Sequence, residues 1–268
     1  MIVDGNTIAA DIYREITNEL SHLTTTRHLT IFTCAPNFAT RKYLDMKRRR
    51  ATEVGIAVNV IEIPDTCTTE EFVQSVTRSS MLTDGVVVQL PLPKHFDTQT
   101  ILEAIPRTLD VDVSQYDGTD HLILPPVIGA IDEIARRHGV MFAGANIVIA
   151  GEGRLVGKPA KLWADSHGWK STVVTEVTPH PDTLFSAADI LILGTGQAGL
   201  IHEENIKTGV VIFDAGTSEQ EGRLVGDTDS ACYPKTSLIT PVPGGIGPIT
   251  IAVLLRNLVF LSKKNHGM

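Results

Sequence analysis

Cysteine is scarce in this 268-residue chain: Cys34, Cys67 and Cys232 lie far apart and form no CxxC pair. A zinc site built on paired cysteines and a disulfide framework are therefore not expected, and a reducing compartment fits this usage. Cationic excess is also missing. With 23 Lys+Arg against 31 Asp+Glu the formal net charge is −8, which argues against nonspecific binding to nucleic acid or to an anionic membrane. No uncharged apolar run reaches the length that spans a bilayer. The opening MIVDGN carries an acid early and lacks a basic segment ahead of an apolar one, so no secretory signal is expected and the protein reads as cytoplasmic. Aromatic residues are only 5%, whereas the apolar share of 43% and the charged share of 20% are those of a globular protein, which excludes extensive disorder. These exclusions leave a small molecule as the default partner.

What is present is alternation. Short β-branched or leucine-rich runs at Thr30–Cys34, Ala57–Ile63, Gly85–Gln89, Asn146–Ala150, Thr172–Val177, Ile190–Leu193 and Val210–Asp214 read as strands. Between them Ala39–Val54, Thr69–Ser80, Pro125–His138 and Pro159–His167 read as helices, with Gly55, Gly139 and Gly168 just past their ends. A last helix is expected at Pro248–Ser262, followed by a frayed polar tail, Lys263–Met268. The class is α/β: parallel sheets covered by helices on both faces. At this length two lobes are expected.

Four segments stand out chemically. In YLDMK, Tyr43 and Lys47 are spaced i, i+4, which on a helix places phenol and amine on one face. Because Arg41, Lys42, Arg48, Arg49 and Arg50 surround them, a solvated basic face fits the same spacing. VVVQLPLP ends an apolar strand at Gln89, where open α/β sheets bind ligands, although a glutamine closing a loop reads identically. GEGRLVGKP follows a strand and opens a helix, with Gly151, Gly153 and Gly157 in a GxGxxxG turn. Such a turn lets phosphate approach the backbone amides, yet the spacing is one residue off the common dinucleotide fingerprint. Glu176, at the end of the next predicted strand, is at the distance where an acid accepts from a ribose hydroxyl of NAD. Finally, TPVPGGIGPIT holds three prolines and three glycines, a rigid loop able to offer backbone groups to a flat ligand.

Together, IVDGNTIAADI, YLDMK, VVVQLPLP, LDVDV, GEGRLVGKP, LVGD and TPVPGGIGPIT resemble, in this order and across nearly the whole chain, the bifunctional methylenetetrahydrofolate dehydrogenase/methenyltetrahydrofolate cyclohydrolase family. The resemblance implies two α/β lobes with a cleft between them. Residues 1–120, completed by the C-terminal helix at 244–268, would form a folate-binding catalytic lobe, and residues 121–243 a Rossmann-type NAD(P)-binding lobe. It implies that Lys47 transfers protons in the cyclohydrolase step, Gln89 holds that lysine, Tyr43 packs along the folate and Asp112 bonds the pterin. Pro243, Gly244 and Gly245 would complete the substrate site. Gly151, Glu152, Gly153, Arg154, Leu155, Val156, Gly157, Glu176, Thr195, Gly196 and Ile246 would hold the cofactor. A homodimer joined through the nucleotide lobes is implied too; no metal site is.

The chain departs from the family pattern in three places. Leu109–Val113 reads LDVDV where the family has KDVDG, Pro125–Ile128 reads PPVI for PCTP, and Glu152 replaces the arginine of GRS that pairs with a 2′-phosphate. Glu152 and Glu176 thus tilt the expectation from NADP toward NAD, with Arg154 and Lys158 as alternative phosphate contacts. The leading expectation is oxidation of 5,10-methylenetetrahydrofolate followed by hydrolysis to 10-formyltetrahydrofolate. The alternatives are a cyclohydrolase alone, a folate-binding protein with a degenerate nucleotide site, or a different Rossmann dehydrogenase acting on an amino or hydroxy acid.

Overall fold

The computed structural model describes residues 1–119, 123–220 and 222–267; the lobe boundary expected at 120/121 lies outside them, as does Met268. The chain divides into two units. One comprises Ala10–Gln115 with Ile251–Met268, the other Met1–Ala9 with Tyr116–Thr250.

In the first unit, β1 (His28–Thr33), β2 (Ala57–Glu62) and β3 (Gly85–Val88) form a parallel sheet of order β2-β1-β3. The helices α2 (Phe38–Glu53), α3 (Thr69–Ser80) and the short α4 (Thr98–Glu103) connect and follow these strands, and α1 (Gly5–Ser21) leads into them from the other unit. Each start has a local cause. Asn37 caps α2 by accepting from the Thr40 amide, and Thr68 and Glu71 form a reciprocal capping box on α3. Phe32, Phe72, Val76, Val86, Val88 and Phe96 pack into one core over the sheet. The last helix, α8 (Ile246–Asn265), joins this unit from Ile251 onward. Its Asn257 donates to the Val111 carbonyl, Ser262 to Asp84, and Asn265 to the Thr108 carbonyl. The predicted fraying at Lys263 is therefore corrected: the helix continues through Asn265, and Lys263 pairs with Glu19. By length and composition α8 could cross a membrane, although Arg256 interrupts its apolar run. Ile249, Ile251–Leu255 and Leu258 are buried within the fold.

The second unit carries a five-stranded parallel sheet, ordered β10-β7-β6-β4-β5. Its strands are β4 (Ile147–Ala150), β5 (Ser171–Val174), β6 (Ile190–Leu193), β7 (Val211–Asp214) and β10 (Leu238–Ile239). The helices α5 (Pro126–His138), α6 (Gly157–Ser166) and α7 (Pro181–Ala187) alternate with them, and a hairpin, β8 (Ser218–Gln220) with β9 (Arg223–Val225), follows β7. Central strands β4 and β6 are buried at every residue, matching their unbroken apolar sequences. The N-terminal residues belong here because Val3 donates to the Ile239 carbonyl and Ile239 to Met1, which extends the sheet beside β10.

Candidate active site

Both sheets reverse direction where ligands bind in open α/β folds. In the first unit the chain runs outward from β1 to β2 and returns to place β3 on the other side of β1, so the switch point lies at the carboxyl ends of β1 and β3. Gln89 sits there, its amide donating to the Phe32 carbonyl and its side chain to the Leu90 carbonyl. The Leu90–Pro91 peptide beyond it is cis.

From α2, Lys47 reaches this point. It is buried, with 4% of its surface exposed, and its Nζ donates to Gln89 Oε1 at 3.1 Å. The same nitrogen lies 5.1 Å from the centroid of the Tyr43 ring one turn away. Both readings of this helix hold at once: Arg41, Lys42, Arg48 and Arg49 are exposed, whereas Lys47 faces inward. Burial pushes its amine below the usual 10.5, and the Asp112 carboxylate opposes that shift. The cause is thus desolvation, since Arg48 and Arg49 are exposed and lie on the solvent face. Burial likewise raises the carboxyl of the half-buried Asp112, with Lys47 acting against it. Next to it Asp110 is 4% exposed and accepts from the Ser114 amide and hydroxyl through one oxygen; burial first, and then the Asp112 charge, lift it to about 6. The structure therefore brings Tyr43, Lys47, Gln89 and Asp112 together. Such a group sets an amine of lowered pKa beside a carboxylate, an arrangement able to take up a proton and return it, which is what acid–base work requires.

In the second unit the switch point falls between β4 and β6. The turn after β4 holds Gly151, Glu152, Gly153, Arg154 and Leu155, of which the last four are exposed, while Val156 and Gly157 are buried. Gly151 has φ +94°, and a Cβ on Gly157 would meet the Gly151 carbonyl oxygen at 2.0 Å, so only glycine lets the turn fold against the start of α6. No side chain caps α6, whose first turn is left facing the turn residues. The loop after β6 carries Thr195 and Gly196, and a Cβ on its Gly194 would strike the Val156 side chain. An uncapped helix start behind an exposed glycine turn suits a nucleotide diphosphate, so these residues fit a dinucleotide.

Glu176 is corrected in position. β5 ends at Val174, and Glu176 is exposed in a turn in which Thr178 binds back to Thr175; β-branched character continued in the sequence past the point where the ladder stops. Pro243, Gly244 and Gly245 lie in the loop between β10 and α8, and Ile246 is the first residue of α8. Val242–Pro243 is cis, Pro243 is exposed, and Gly245 and Ile246 are buried, with the Gly245 amide bonded to the Pro241 carbonyl and Gly5 to Gly244. Sequence reading missed the buried carboxylates Asp214 and Asp227, 2% and 0% exposed, although an acid ending the apolar run VIFD was a usable sign.

Two family models match the chain: the tetrahydrofolate dehydrogenase/cyclohydrolase catalytic domain over residues 3–112 and the NAD(P)-binding domain of the same enzymes over residues 125–266. The bifunctional protein FolD of Halothermothrix orenii is 34% identical over 284 residues, spanning 100% of this chain and 99% of that protein. The FolD of Lactobacillus acidophilus is 31% identical over 278 residues, spanning 99% and 98%. Among solved structures, the bifunctional FolD of Campylobacter jejuni superposes with a TM-score of 0.94 at 29% identity, covering 99% of each chain. The Trypanosoma brucei enzyme, solved with NADP and an inhibitor, superposes at 0.90 and 29%, covering 100% of this chain and 99% of that one. The glycine turn at the switch point of one sheet and the buried lysine at that of the other thus sit in a chain matched end to end, and this chain belongs to the tetrahydrofolate dehydrogenase/cyclohydrolase family.

Proposed function

We propose that this protein oxidises 5,10-methylenetetrahydrofolate to 5,10-methenyltetrahydrofolate with NAD or NADP and hydrolyses the product to 10-formyltetrahydrofolate. The observation that carries the reading is the buried Lys47 amine, held by Gln89 beside Asp112. In the hydrolytic step Lys47 takes a proton from the water attacking the methenyl carbon and returns one to the departing ring nitrogen. Gln89 fixes the amine by accepting its hydrogen bond, Asp112 bonds the pterin, and Tyr43 packs along the folate.

NAD(P), when bound, accepts the hydride removed in the first step. Gly151–Gly157, Thr195, Gly196 and Ile246 would hold it. Glu152 and Glu176 are both exposed, and each would repel a 2′-phosphate, which supports NAD as the preferred form. The enzyme acts in the cytoplasm as a homodimer; β5, the edge strand of the five-stranded sheet, is available to a second copy.

The test is a paired assay with methylenetetrahydrofolate and either NAD or NADP, following reduced nicotinamide and methenyl product together. Turnover with NAD well above NADP is expected. If neither cofactor supports turnover while methenyltetrahydrofolate is still hydrolysed, the protein is a cyclohydrolase alone.

A further inference from the structure

Behind the loop that follows β6 lies a network of two buried carboxylates that the chemistry above does not use. Asp227 Oδ2 accepts from both the amide and the hydroxyl of Thr195, each at 2.8 Å, and the amides of Gly196 and Gln197 also favour its charged form. Its other oxygen, Oδ1, is buried with no hydrogen-bond partner among the described residues. Asp227 is in turn held from behind. Its amide donates to Asp214 Oδ1, which also takes the Gly216 amide, while Asp214 Oδ2 takes the Thr228 amide. The Asp214 amide donates to Thr240 Oγ1, at the start of the proline- and glycine-rich loop. Any side chain at Gly216 would overlap the Asp227 carboxylate, since a Cβ there would lie 2.0 Å from Oδ1.

A buried carboxylate with one oxygen unpartnered is costly, and a neutral asparagine would accept from Thr195 without burying a charge, with its Nδ2 amide in the unpartnered position. What the charge adds is strength: a carboxylate draws three successive loop amides and a hydroxyl toward one point, as an anion does in a backbone nest. The residues so drawn are Thr195 and Gly196, at the switch point of the sheet.

We propose that Asp227 is a positioning residue for the nicotinamide dinucleotide, anchored by Asp214, which sets the Thr195–Gln197 loop in its ligand-binding form. This rests on the reading that the loop touches the dinucleotide. It predicts that the two reactions separate, because Lys47, Gln89 and Asp112 belong to the other unit.

The experiment measures both reactions in the purified Asp227→Ala and Asp227→Asn proteins. Asp227→Ala raises KM for the dinucleotide about tenfold or more, a change of about 1.4 kcal/mol per decade that the loss of a charged acceptor can supply. Asp227→Asn, which keeps an acceptor, restores part of it, and methenyltetrahydrofolate hydrolysis stays at the parent rate in both. An unchanged KM in both variants, or an equal loss in both reactions, overturns the proposal. Hydrogen exchange of the Thr195–Gln197 amides in the parent protein, with and without NAD or NADP, checks the underlying reading separately. Protection on adding dinucleotide is expected; its absence shows that the loop is not part of the site, whatever the variants do.

Discussion

Replacing Lys47 by methionine removes the amine while keeping an unbranched side chain of similar length in a site only 4% exposed. Two consequences follow locally. Gln89 Oε1 loses its 3.1 Å donor, a stranding that costs about 1–3 kcal/mol when the acceptor is buried. Asp112 loses the one charge that opposes its desolvation, so its carboxyl rises further. Against these, the fold no longer has to hold a buried amine, so a folded protein that still binds folate is expected. The catalytic loss is larger: a positioned proton-transfer group contributes about 10²- to 10⁴-fold, so hydrolysis of methenyltetrahydrofolate should fall by that factor. The assay follows loss of methenyl absorbance against the buffer rate, with folate binding measured on the same preparation. Lys47→Arg sharpens it. In the parent, activity gains a rising limb as pH climbs through the lowered amine pKa, which lies below 10.5. The guanidinium does not deprotonate, so the limb is absent in that variant. Hydrolysis by Lys47→Met at the parent rate would refute the assignment of Lys47.

Two further outcomes are expected. Glu152→Arg should shift the NADP-to-NAD ratio of kcat/KM toward NADP by about tenfold or more, through removed repulsion and added pairing; an unchanged ratio would place the 2′ discrimination elsewhere. Asp110 is raised from 3.8 to about 6, so the folded state binds its proton more tightly than the unfolded chain does. Stability therefore falls as pH rises from about 4 through about 6 and levels off above, a loss of about 3 kcal/mol. Asp110→Asn should make that segment shallower in urea titrations across the range without removing it, because Asp214 is also raised to about 6, and an identical slope in the variant would show that Asp110 does not contribute.

Local order was readable where a strand is a short apolar run and a helix has an amphipathic period and a stop, whereas α1, α4, α7 and β8–β10 were not read from the chain. The strands at Ile190–Leu193 and Ala57–Glu62 and the helix at Pro126–His138 are set by such nearest-neighbour signals. VQLPLP, the GxGxxxG turn and PVPGGIGP were visible for the same reason: their chemistry is contiguous. Three features were settled only by tertiary packing. On a helix as cationic as α2, nothing local separates Lys47 from Arg48 or Arg49; what buries one is Gln89, 42 residues away on another element. Where β5 stops depends on its pairing with β4, which ends at Ala150↔Val174 and leaves Glu176 in a turn despite its β-branched neighbours. The Asp214–Asp227 network joins the last residue of β7 to one that follows β9, and both are buried. The sequence by itself determined the elements, the family and the residue types at hand. Burial decided which of those residues carry an altered charge, because desolvation depends on everything packed around a group and not on its neighbours in the chain.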